Sequence, residues 1–264
     1  MPFLWSWTAC VALALAFGII SEAEAQTASP TNIPLQLLNN NGAERLVINV
    51  GIAGGAPKPY LFDTGSAAFN AAYNPAWWGT VPASSSLQTN VEYCYGPNTG
   101  TCRGYTGNIV QVPSLGFYAT STSPTVAATL SAAPGYQVNA VYNHSDPTTT
   151  PPTNQNFPGY FTPGALPPIE GVFYGTFGAA DFATQARVVG QTGPSGFYIG
   201  GVLGQTSVSG VTTQGYVVAA NGQKNPTSDT NGPQQVNGAN VTIGGQTLQA
   251  VTQCNPCVTV GLTP

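Results

Sequence analysis

The residues best suited to chemistry lie in the segment YLFDTGSAAF, residues 60–69. Asp63 is one of four Asp residues in a chain of 264 residues with 5% charged side chains, and it follows three apolar residues. A carboxylate placed at the end of an apolar strand can act as a general acid or base. The alternative is a structural turn in which backbone N–H groups satisfy the carboxylate. Thr64, Gly65 and Ser66 follow directly and predict a tight turn.

Acid–base chemistry at Asp63 needs a second titratable group, so that one group takes a proton while the other donates one. Asp229, in SDTNG, is a weak candidate, because no apolar strand precedes it and a solvated turn explains the sequence. Asp146 precedes a proline and is predicted to be solvated. Asp181 falls on a predicted helix. His144, the only His, lies in a Thr- and Pro-rich segment, where a Ser-His-Asp triad has no geometric support.

The segments before Asp63 predict the hairpin that positions it. LVINVGI, residues 46–52, is β-branched and partly alternating, and GGAPKP, residues 54–59, is typical of a turn. YLF then begins a second strand that ends at Asp63. The carboxylate is therefore expected at the end of a strand, where a Thr-Gly turn begins.

The remaining pattern predicts an all-β chain with frequent turns. Apolar residues make up 42% of the chain, small and polar residues are abundant, and sustained helical periodicity is nearly absent. One short helix is predicted at residues 178–189, and surface loops or linkers are predicted at residues 143–168 and 221–238. Further strands are predicted at NVEYCY, GNIVQV, GVFYG, GFYIGG, GYVVAA, NVTIGG and CVTVGL.

The N-terminal segment predicts export. Residues 9–20 are apolar and Ala23-Glu24-Ala25 follows, a pattern typical of a signal peptide cleaved after Ala25, so the protein would be secreted or periplasmic. The alternative is an uncleaved anchor helix, for which the apolar run is short. No other membrane segment is predicted. The 5 basic and 9 acidic side chains form no patch suited to nucleic acid.

Four cysteines follow the predicted leader, in two close pairs. In an oxidising compartment, Cys94 with Cys102 and Cys254 with Cys257 predict two local disulfides. A single zinc site built from all four is the alternative, although no His lies beside either pair. No βαβ pattern surrounds the second pair, which disfavours a redox motif. No metal and no cofactor are therefore predicted.

Four segments, in order along the chain, resemble the pepsin-like aspartic peptidases. VINVGIAGGAPKPYLFDTGS resembles their first hairpin and catalytic loop. YCYGPNTGTCRGYTGNIVQV, residues 93–112, is similar to their flap, with Tyr95 and Gly96 where the flap Tyr-Gly falls. IEGVFYGTFG, residues 169–178, is similar to the stretch that closes the catalytic loop. SGFYIGG, residues 195–201, is similar to the strand that opens the second lobe.

The resemblance implies the fold and its division into lobes. It implies an all-β, pepsin-like (acid protease) β-barrel lobe with an incomplete second lobe. Residues 1–25 would be the signal peptide, residues 26–190 the N-terminal lobe and residues 191–264 the partial second lobe. A shortened reading frame, with further strands encoded beyond Pro264, is an alternative account of the incomplete lobe.

The resemblance also implies the roles of the site residues. The carboxylate would hold a water against a substrate carbonyl, the Thr would pack inward, and the Gly would let backbone N–H groups approach the carboxylate. The flap residues would cover a cleft for a peptide or protein. The residues concerned are Asp63, Thr64, Gly65 and Ser66 in the catalytic motif, and Tyr95 and Gly96 in the flap.

The second catalytic Asp of the family is missing from the corresponding position. In the tail, Thr259-Val260-Gly261 falls where the family has its second Asp-Thr-Gly, so Thr259 replaces the carboxylate. Asn70 stands where the family usually has a Trp after its catalytic loop. A partner copy in a two-fold homodimer is another source of the missing Asp. Residues 190–264 would crowd the dimer axis, which disfavours that arrangement.

Three functional hypotheses follow. The first is an exported aspartic endopeptidase that hydrolyses peptide bonds if a partner carboxylate is supplied. The second is a catalytically inactive pepsin-like fold that binds peptides. The third is a secreted β-sandwich or adhesin-like domain in which Asp63 is structural.

Overall fold

The computed structural model describes residues 31–40, 43–81, 86–95, 103–146, 153–156, 168–169, 171–180, 183–185, 187–190, 198–206, 215–219, 234–236, 241–243, 246–248 and 253–262. Within these ranges the chain forms 19 strands and one four-residue helix, so the predicted all-β class is confirmed. None of the described helical residues belongs to an apolar helix of the length that a membrane span requires.

The strands are β1 (Thr31–Pro34), β2 (Gln36–Asn40), β3 (Ala43–Ile52), β4 (Lys58–Asp63), β5 (Phe69–Ala72), β6 (Ser86–Tyr95), β7 (Arg103–Tyr118), β8 (Val126–Asp146), β9 (Thr153–Asn156), β10 (Gly175–Gly178), β11 (Ala183–Gln185), β12 (Arg187–Val188), β13 (Tyr198–Gly200), β14 (Gly215–Ala219), β15 (Gln234–Val236), β16 (Val241–Ile243), β17 (Gln246–Leu248), β18 (Gln253–Asn255) and β19 (Cys257–Leu262). The helix is α1 (Val202–Gln205).

Strands β3 and β4 form the hairpin that the sequence predicts before Asp63. They run antiparallel, with Val47 opposite Leu61 and Val50 opposite Lys58. β-Branched residues favour such a pleated, half-buried arrangement, and β4 ends at Asp63. The prediction that a hairpin delivers the carboxylate to the end of a strand is confirmed.

Six strands pair side by side into a closed ring, in the order β7, β3, β4, β10, β5, β8 and back to β7. Within the ring, β10 runs parallel to β4, and β8 runs parallel to β5. The β4–β10 register places Gly178 opposite Asp63. Closure of the ring pairs both sides of each member strand, which protects edges that would otherwise remain open.

The β6–β7 hairpin and the long strand β8 form one wall at the Asp63 end of the ring. Tyr93 of β6 lies opposite Tyr105 of β7, and Tyr105 lies opposite His144 of β8. The start of β7 therefore lies between the last residues of β6 and the last residues of β8. This arrangement sets three aromatic side chains on neighbouring strands.

The interior of the ring is apolar and rich in aromatic side chains. Phe69 contacts the ring of Tyr60 and that of Phe177, with ring centroids 4.9 Å apart in both pairs. Each large apolar side chain that is fully buried contributes about 1.5–3 kcal/mol through removal from water. The core cluster to which these rings belong extends beyond the ring of strands, and its largest fully buried side chains include Tyr60, Tyr105, Tyr136, Phe69, Phe117, Phe177, Ile33, Leu35, Ile48 and Ile52.

A three-stranded sheet in the order β1, β19, β14 joins the first and the last described strands. Thr31 lies opposite Val260 in the β1–β19 pair, and Val218 lies opposite Val258 in the β14–β19 pair. Val258 and Val260 pack into the same apolar core as the ring. Three further two-stranded pairings join β11 to β13, β15 to β18, and β16 to β17. The predicted lobe boundary at residue 190 stays a prediction.

The predicted helix at residues 178–189 is wrong. In the described part of that range, β11 pairs with β13 and β12 pairs with β6. Arg187 lies opposite Glu92 and Val188 opposite Val91 in the second pairing. Pairing with neighbouring strands therefore overrides the weak local helical preference. Asp181 lies outside the described residues.

The predicted loop at residues 143–168 is only partly a loop. Its first residues complete β8, and β9 pairs antiparallel with them, with Gln155 opposite His144. The assignment of His144 to a loop is therefore wrong. The side chain lies in a strand and is 8% exposed. Asp146 ends the same strand.

Candidate active site

Asp63 lies where β4 gives way to a tight turn. The backbone N–H of Gly65 donates a hydrogen bond to Asp63 Oδ1 over 2.9 Å. The Asp63 side chain is half-buried, whereas Thr64 and Gly65 are exposed. A backbone N–H donor at this distance stabilises negative charge on the carboxylate. Exposure of Thr64 differs from the inward packing that the family resemblance implies.

Strand β10 and the residues after it close the loop that begins at Asp63. The N–H of Ala179 donates to the carbonyl oxygen of Asp63 over 2.8 Å, and the N–H of Ala180 donates to that of Ser66 over 3.0 Å. The N–H of Gly178 donates to the carbonyl of Ala68 over 3.0 Å. Three backbone hydrogen bonds thus fasten the loop to β10. They fix the carboxylate relative to the ring.

Ser66 is the buried residue of the turn, and it joins the loop to the β6–β7 hairpin. Its Oγ lies 3.0 Å from Tyr93 Oη and 3.3 Å from Tyr95 Oη, both within hydrogen-bond distance. The two tyrosine rings contact each other edge to face, with centroids 5.2 Å apart. The hairpin is therefore held over the loop that begins at Asp63 by a cluster of three hydroxyl groups.

Burial raises the pKa of the Tyr95 hydroxyl well above the usual range of a tyrosine. Hydrogen bonds with Ser66 and Thr176 lower it, while the nearby Tyr93 and Asp63 raise it further. The raised pKa keeps Tyr95 protonated at the acid and neutral pH values at which hydrolysis would be measured. Tyr95 therefore acts as a neutral hydrogen-bonding group beside Asp63.

Asn70, which replaces the Trp of the resembled family, extends the hydrogen bonds into the core. Its Nδ2 donates to Tyr95 Oη over 3.5 Å, and its Oδ1 accepts from Asn139 Nδ2 over 2.8 Å. Both Asn side chains are fully buried. Buried amides are tolerated when they are paired, and this pair links β5 to β8.

A cavity of about 200 Å³ lies at the Asp63 end of the ring. Its lining includes one residue or more from each of five strands: Leu61, Asp63, Tyr95, Gly104, Tyr105, His144 and Thr176. Tyr105 stacks obliquely on His144, with ring centroids 5.0 Å apart, and its hydroxyl lies 2.9 Å from Thr176 Oγ1. Among the described residues of the lining, Asp63 is the only carboxylate and His144 the only imidazole.

The structure brings together some of the residues that the sequence analysis selected. Asp63 and Tyr95 line the same cavity, and Ser66 contacts Tyr95. Gly96 lies outside the described residues, as does Asp229. Of the predicted flap segment, residues 93–112, the structure describes residues 93–95 at the end of β6 and residues 103–112 in β7, and the flap role stays a prediction.

Thr259, the predicted position of the missing carboxylate, lies in β19. It is opposite Asn32 of β1, and its Oγ1 donates to Asn32 Oδ1 over 2.7 Å. Its side chain is 3% exposed. It is not among the described residues that line the Asp63 cavity. Here Thr259 makes a buried contact between strands.

Cys94 lies on β6 opposite Gly104, and Cys257 is buried at the start of β19. Cys102 and the side chain of Cys254 lie outside the described part of the chain. Both disulfides stay predictions. In the part of the chain that the structure describes, no group of three or more His, Cys, Asp or Glu is placed to hold a metal ion.

The sequence analysis missed the placement of His144. Residues 138–141 are all buried, and the β7–β8 register shifts between Val141 and Asn143, so no regular alternation in the sequence identifies this part of the strand. The single His of the chain nevertheless shares a cavity with the candidate catalytic Asp.

No protein-family model matches the chain, and no curated protein is significantly similar to it. The resemblance to pepsin-like aspartic peptidases therefore stays a prediction.

Proposed function

We propose that the chain is an exported, pepsin-like aspartic-peptidase homologue that hydrolyses peptide bonds with a water activated by Asp63. The observation that carries this proposal is the fastened loop. Asp63 follows a hairpin strand, its loop is closed by hydrogen bonds from residues 178–180, and its side chain lines a cavity beside Tyr95. These are parts that the first three resembling segments imply: the hairpin with its loop, the flap Tyr and the stretch that closes the loop.

Two features support the proposal over a β-sandwich with a structural Asp. A sandwich packs two facing sheets, whereas β3, β4, β5, β7, β8 and β10 pair into a closed ring. In addition, the Asp63 side chain is half-buried at a cavity and is not enclosed in the core. A carboxylate in that position can reach a substrate.

A second candidate function is peptide binding without catalysis at the same cavity. The observation that favours it is the single carboxylate among the described lining residues. Water activation between two carboxylates requires both members. In this alternative the β6–β7 hairpin would hold an extended peptide against the cavity, and Asp63 would contribute a hydrogen-bond acceptor.

The test of the proposed function is casein cleavage by the purified full chain, measured against pH with a statine-type inhibitor. We expect cleavage at acid pH, inhibition by the compound, and a loss of about 100-fold or more in Asp63→Asn. Glu92→Gln is the matched control, because it makes the same carboxylate-to-amide change on β6, outside the described lining of the cavity. Unchanged cleavage in Asp63→Asn would remove Asp63 from the mechanism.

If the folded wild-type chain cleaves nothing, the binding alternative is favoured. It is tested by the affinity of an extended casein-derived peptide for the wild-type chain and for Asp63→Asn. Weaker binding in the variant, with unchanged binding by Glu44→Gln, the same kind of change on β3, would support a peptide site at the cavity. Equal binding by all three chains would contradict it.

A further inference from the structure

The chemistry proposed for Asp63 needs a second acid–base group, and the structure holds a titratable side chain of a different type in the same cavity. We propose that His144 is that second group, so that the site works as a carboxylate–imidazole pair. The inference rests on the proposed hydrolytic function. It assigns a catalytic role to the only His in the chain.

The strand pairings account for the position of His144. Strand β8 runs antiparallel to β7, which places Tyr105 opposite His144 and stacks their rings with centroids 5.0 Å apart. The Tyr105 hydroxyl lies 2.9 Å from Thr176 Oγ1 on β10. Strand β10 pairs in parallel with β4, and β4 is the strand that ends at Asp63. His144 is thus joined to the strand of Asp63 through a chain of ordered contacts.

The surroundings of His144 limit which charges can act on it. Three titratable side chains line the cavity with it: Asp63 from β4, Tyr95 from β6 and Tyr105 from β7. Thr176 of β10 is neutral, and β9 places Gln155 opposite His144 in the register. Asp63 is therefore the acidic partner among the lining groups.

Low exposure makes this pair suited to proton transfer. His144 is 8% exposed, and Tyr105 and Thr176 are buried. The cavity of about 200 Å³ has room for several water molecules or for part of a peptide. Charges interact more strongly in such a partly dry space than in bulk water. A carbonyl group bound beside Asp63 in this cavity would also lie beside the imidazole, which in its protonated form can donate a proton to it.

The reaction can be written with all protons accounted for. The water oxygen bonds to the peptide carbonyl carbon, one water proton passes to Asp63, and His144 in its protonated form gives a proton to the carbonyl oxygen. The resulting tetrahedral diol then breaks its C–N bond. The amine nitrogen leaves with the proton from Asp63, and a diol hydroxyl returns its proton to His144. The products are a carboxylic acid and an amine, and both side chains regain their starting forms.

This pair predicts a pH profile that a pair of carboxylates would not give. Catalysis requires a protonated imidazole, so activity is expected at acid pH and is expected to fall as His144 loses its proton.

The first experiment measures kcat/KM for casein-derived peptide cleavage against pH in the wild-type full chain and in His144→Gln. We expect a loss of about 100-fold in the variant and disappearance of the fall at higher pH. Thr129→Ala is the control, because Thr129 is an exposed residue of the same strand. Wild-type cleavage and an unchanged pH profile in His144→Gln would overturn the inference and leave the role of Asp63 intact.

The second experiment needs no activity. Because the chain has one His, a preparation without a polyhistidine tag gives a single set of imidazole NMR signals. A nearby carboxylate favours the imidazolium form, so Asp63→Asn is expected to lower the titration midpoint of His144 by about half a pH unit or more. Glu92→Gln is expected to leave it unchanged. An identical midpoint in wild type and Asp63→Asn would overturn the pairing, whether or not the chain cleaves casein.

Discussion

Two tyrosine hydroxyls near the candidate site differ in what they contact. The Tyr95 hydroxyl lies within hydrogen-bond distance of Ser66 and accepts a hydrogen bond from Asn70. The Tyr60 hydroxyl is buried and has no hydrogen-bond partner among the described residues. Burial raises the pKa of both hydroxyls, so both stay protonated in the folded state. The same Tyr-to-Phe change is therefore expected to lower stability at Tyr95 but not at Tyr60.

Tyr95→Phe should lower the free energy of unfolding by about 1–2 kcal/mol, because it removes hydrogen bonds in a buried cluster. The ring contacts with Tyr93 and Tyr105 remain, with centroids 5.2 Å and 5.7 Å from that of Tyr95. Urea unfolding measures the change. Tyr198→Phe is the matched control, because Tyr198 is 56% exposed. Equal stability of all three proteins would contradict the hydroxyl cluster.

Tyr60→Phe should leave the free energy of unfolding unchanged or raise it by about 1 kcal/mol, because it removes a buried polar group that lacks a partner. The edge-to-face contact with Phe69, at 4.9 Å between centroids, is kept. The same urea measurement checks the result. A clear loss of stability would mean that the hydroxyl is satisfied in a way that the described residues do not account for.

Among the elements, the closure of the Asp63 loop by β10 depends on a glycine. A Cβ on Gly178 would lie 2.5 Å from the carbonyl oxygen of Ala68 and 2.6 Å from that of Ser66. Both atoms belong to the backbone of the loop that carries the carboxylate. The close approach of β10 to this loop is therefore possible only without a side chain at this position.

Gly178→Ala should lower the free energy of unfolding by about 1–3 kcal/mol, because the loop must move away from β10. If the chain is a hydrolase, cleavage should fall as well, since the same loop positions Asp63. Gly200→Ala is the control: its Cβ would lie no closer than 3.6 Å to the Gln205 side chain, an ordinary contact. Unchanged stability in Gly178→Ala would show that the loop is less tightly closed than these distances require.

The sequence predicted the elements whose signal is local. The β3–β4 hairpin follows from β-branched alternation and a Gly-Pro turn, and its end at Asp63 is confirmed. The helix at residues 178–189 is wrong because strand pairing, which is not a local property, determines that segment. The strand that carries His144 was not predicted, because Ala-, Pro- and Gly-containing sequence weakens its alternation. The pairing of His144 with the Asp63 cavity depends on the β7–β8 register, which no local pattern encodes.

The predicted disulfide between Cys94 and Cys102 would brace the β6–β7 hairpin. Replacing both residues with Ser should lower the free energy of unfolding by about 2–3 kcal/mol, because a short closed loop restricts the unfolded chain. Thermal unfolding, with and without a reducing agent, measures the effect. In a Cys254→Ser/Cys257→Ser variant, which lacks the second pair, the reducing agent should lower the free energy of unfolding by a similar amount. No change in either comparison would contradict the bridge.

At the scale of the whole molecule, few side chains are charged, and the buried tyrosines dominate the response to high pH. The chain has 12 Tyr but only 5 basic and 9 acidic side chains. Burial raises the pKa of Tyr60, Tyr95 and Tyr136 above the usual value of about 10. In the unfolded chain the same groups would lose their protons near pH 10. The folded state therefore holds protons that the unfolded state releases.

This difference predicts alkaline unfolding. A group whose pKa is raised by folding stabilises the fold fully at pH values below its pKa in the unfolded chain. That stabilisation is lost as the pH rises toward the pKa of the group in the folded protein. We expect the free energy of unfolding to be constant up to about pH 10 and then to fall by up to about 1.4 kcal/mol per pH unit for each such tyrosine. Urea unfolding at pH values from about 8 to about 11 measures the fall. Phenolate absorbance should rise together with loss of the circular dichroism signal, since these tyrosines ionise on unfolding. In the Tyr60→Phe/Tyr95→Phe double variant, the free energy of unfolding should fall less steeply with pH. Gradual ionisation of all tyrosines while the fold stays intact would contradict the burial of Tyr60, Tyr95 and Tyr136.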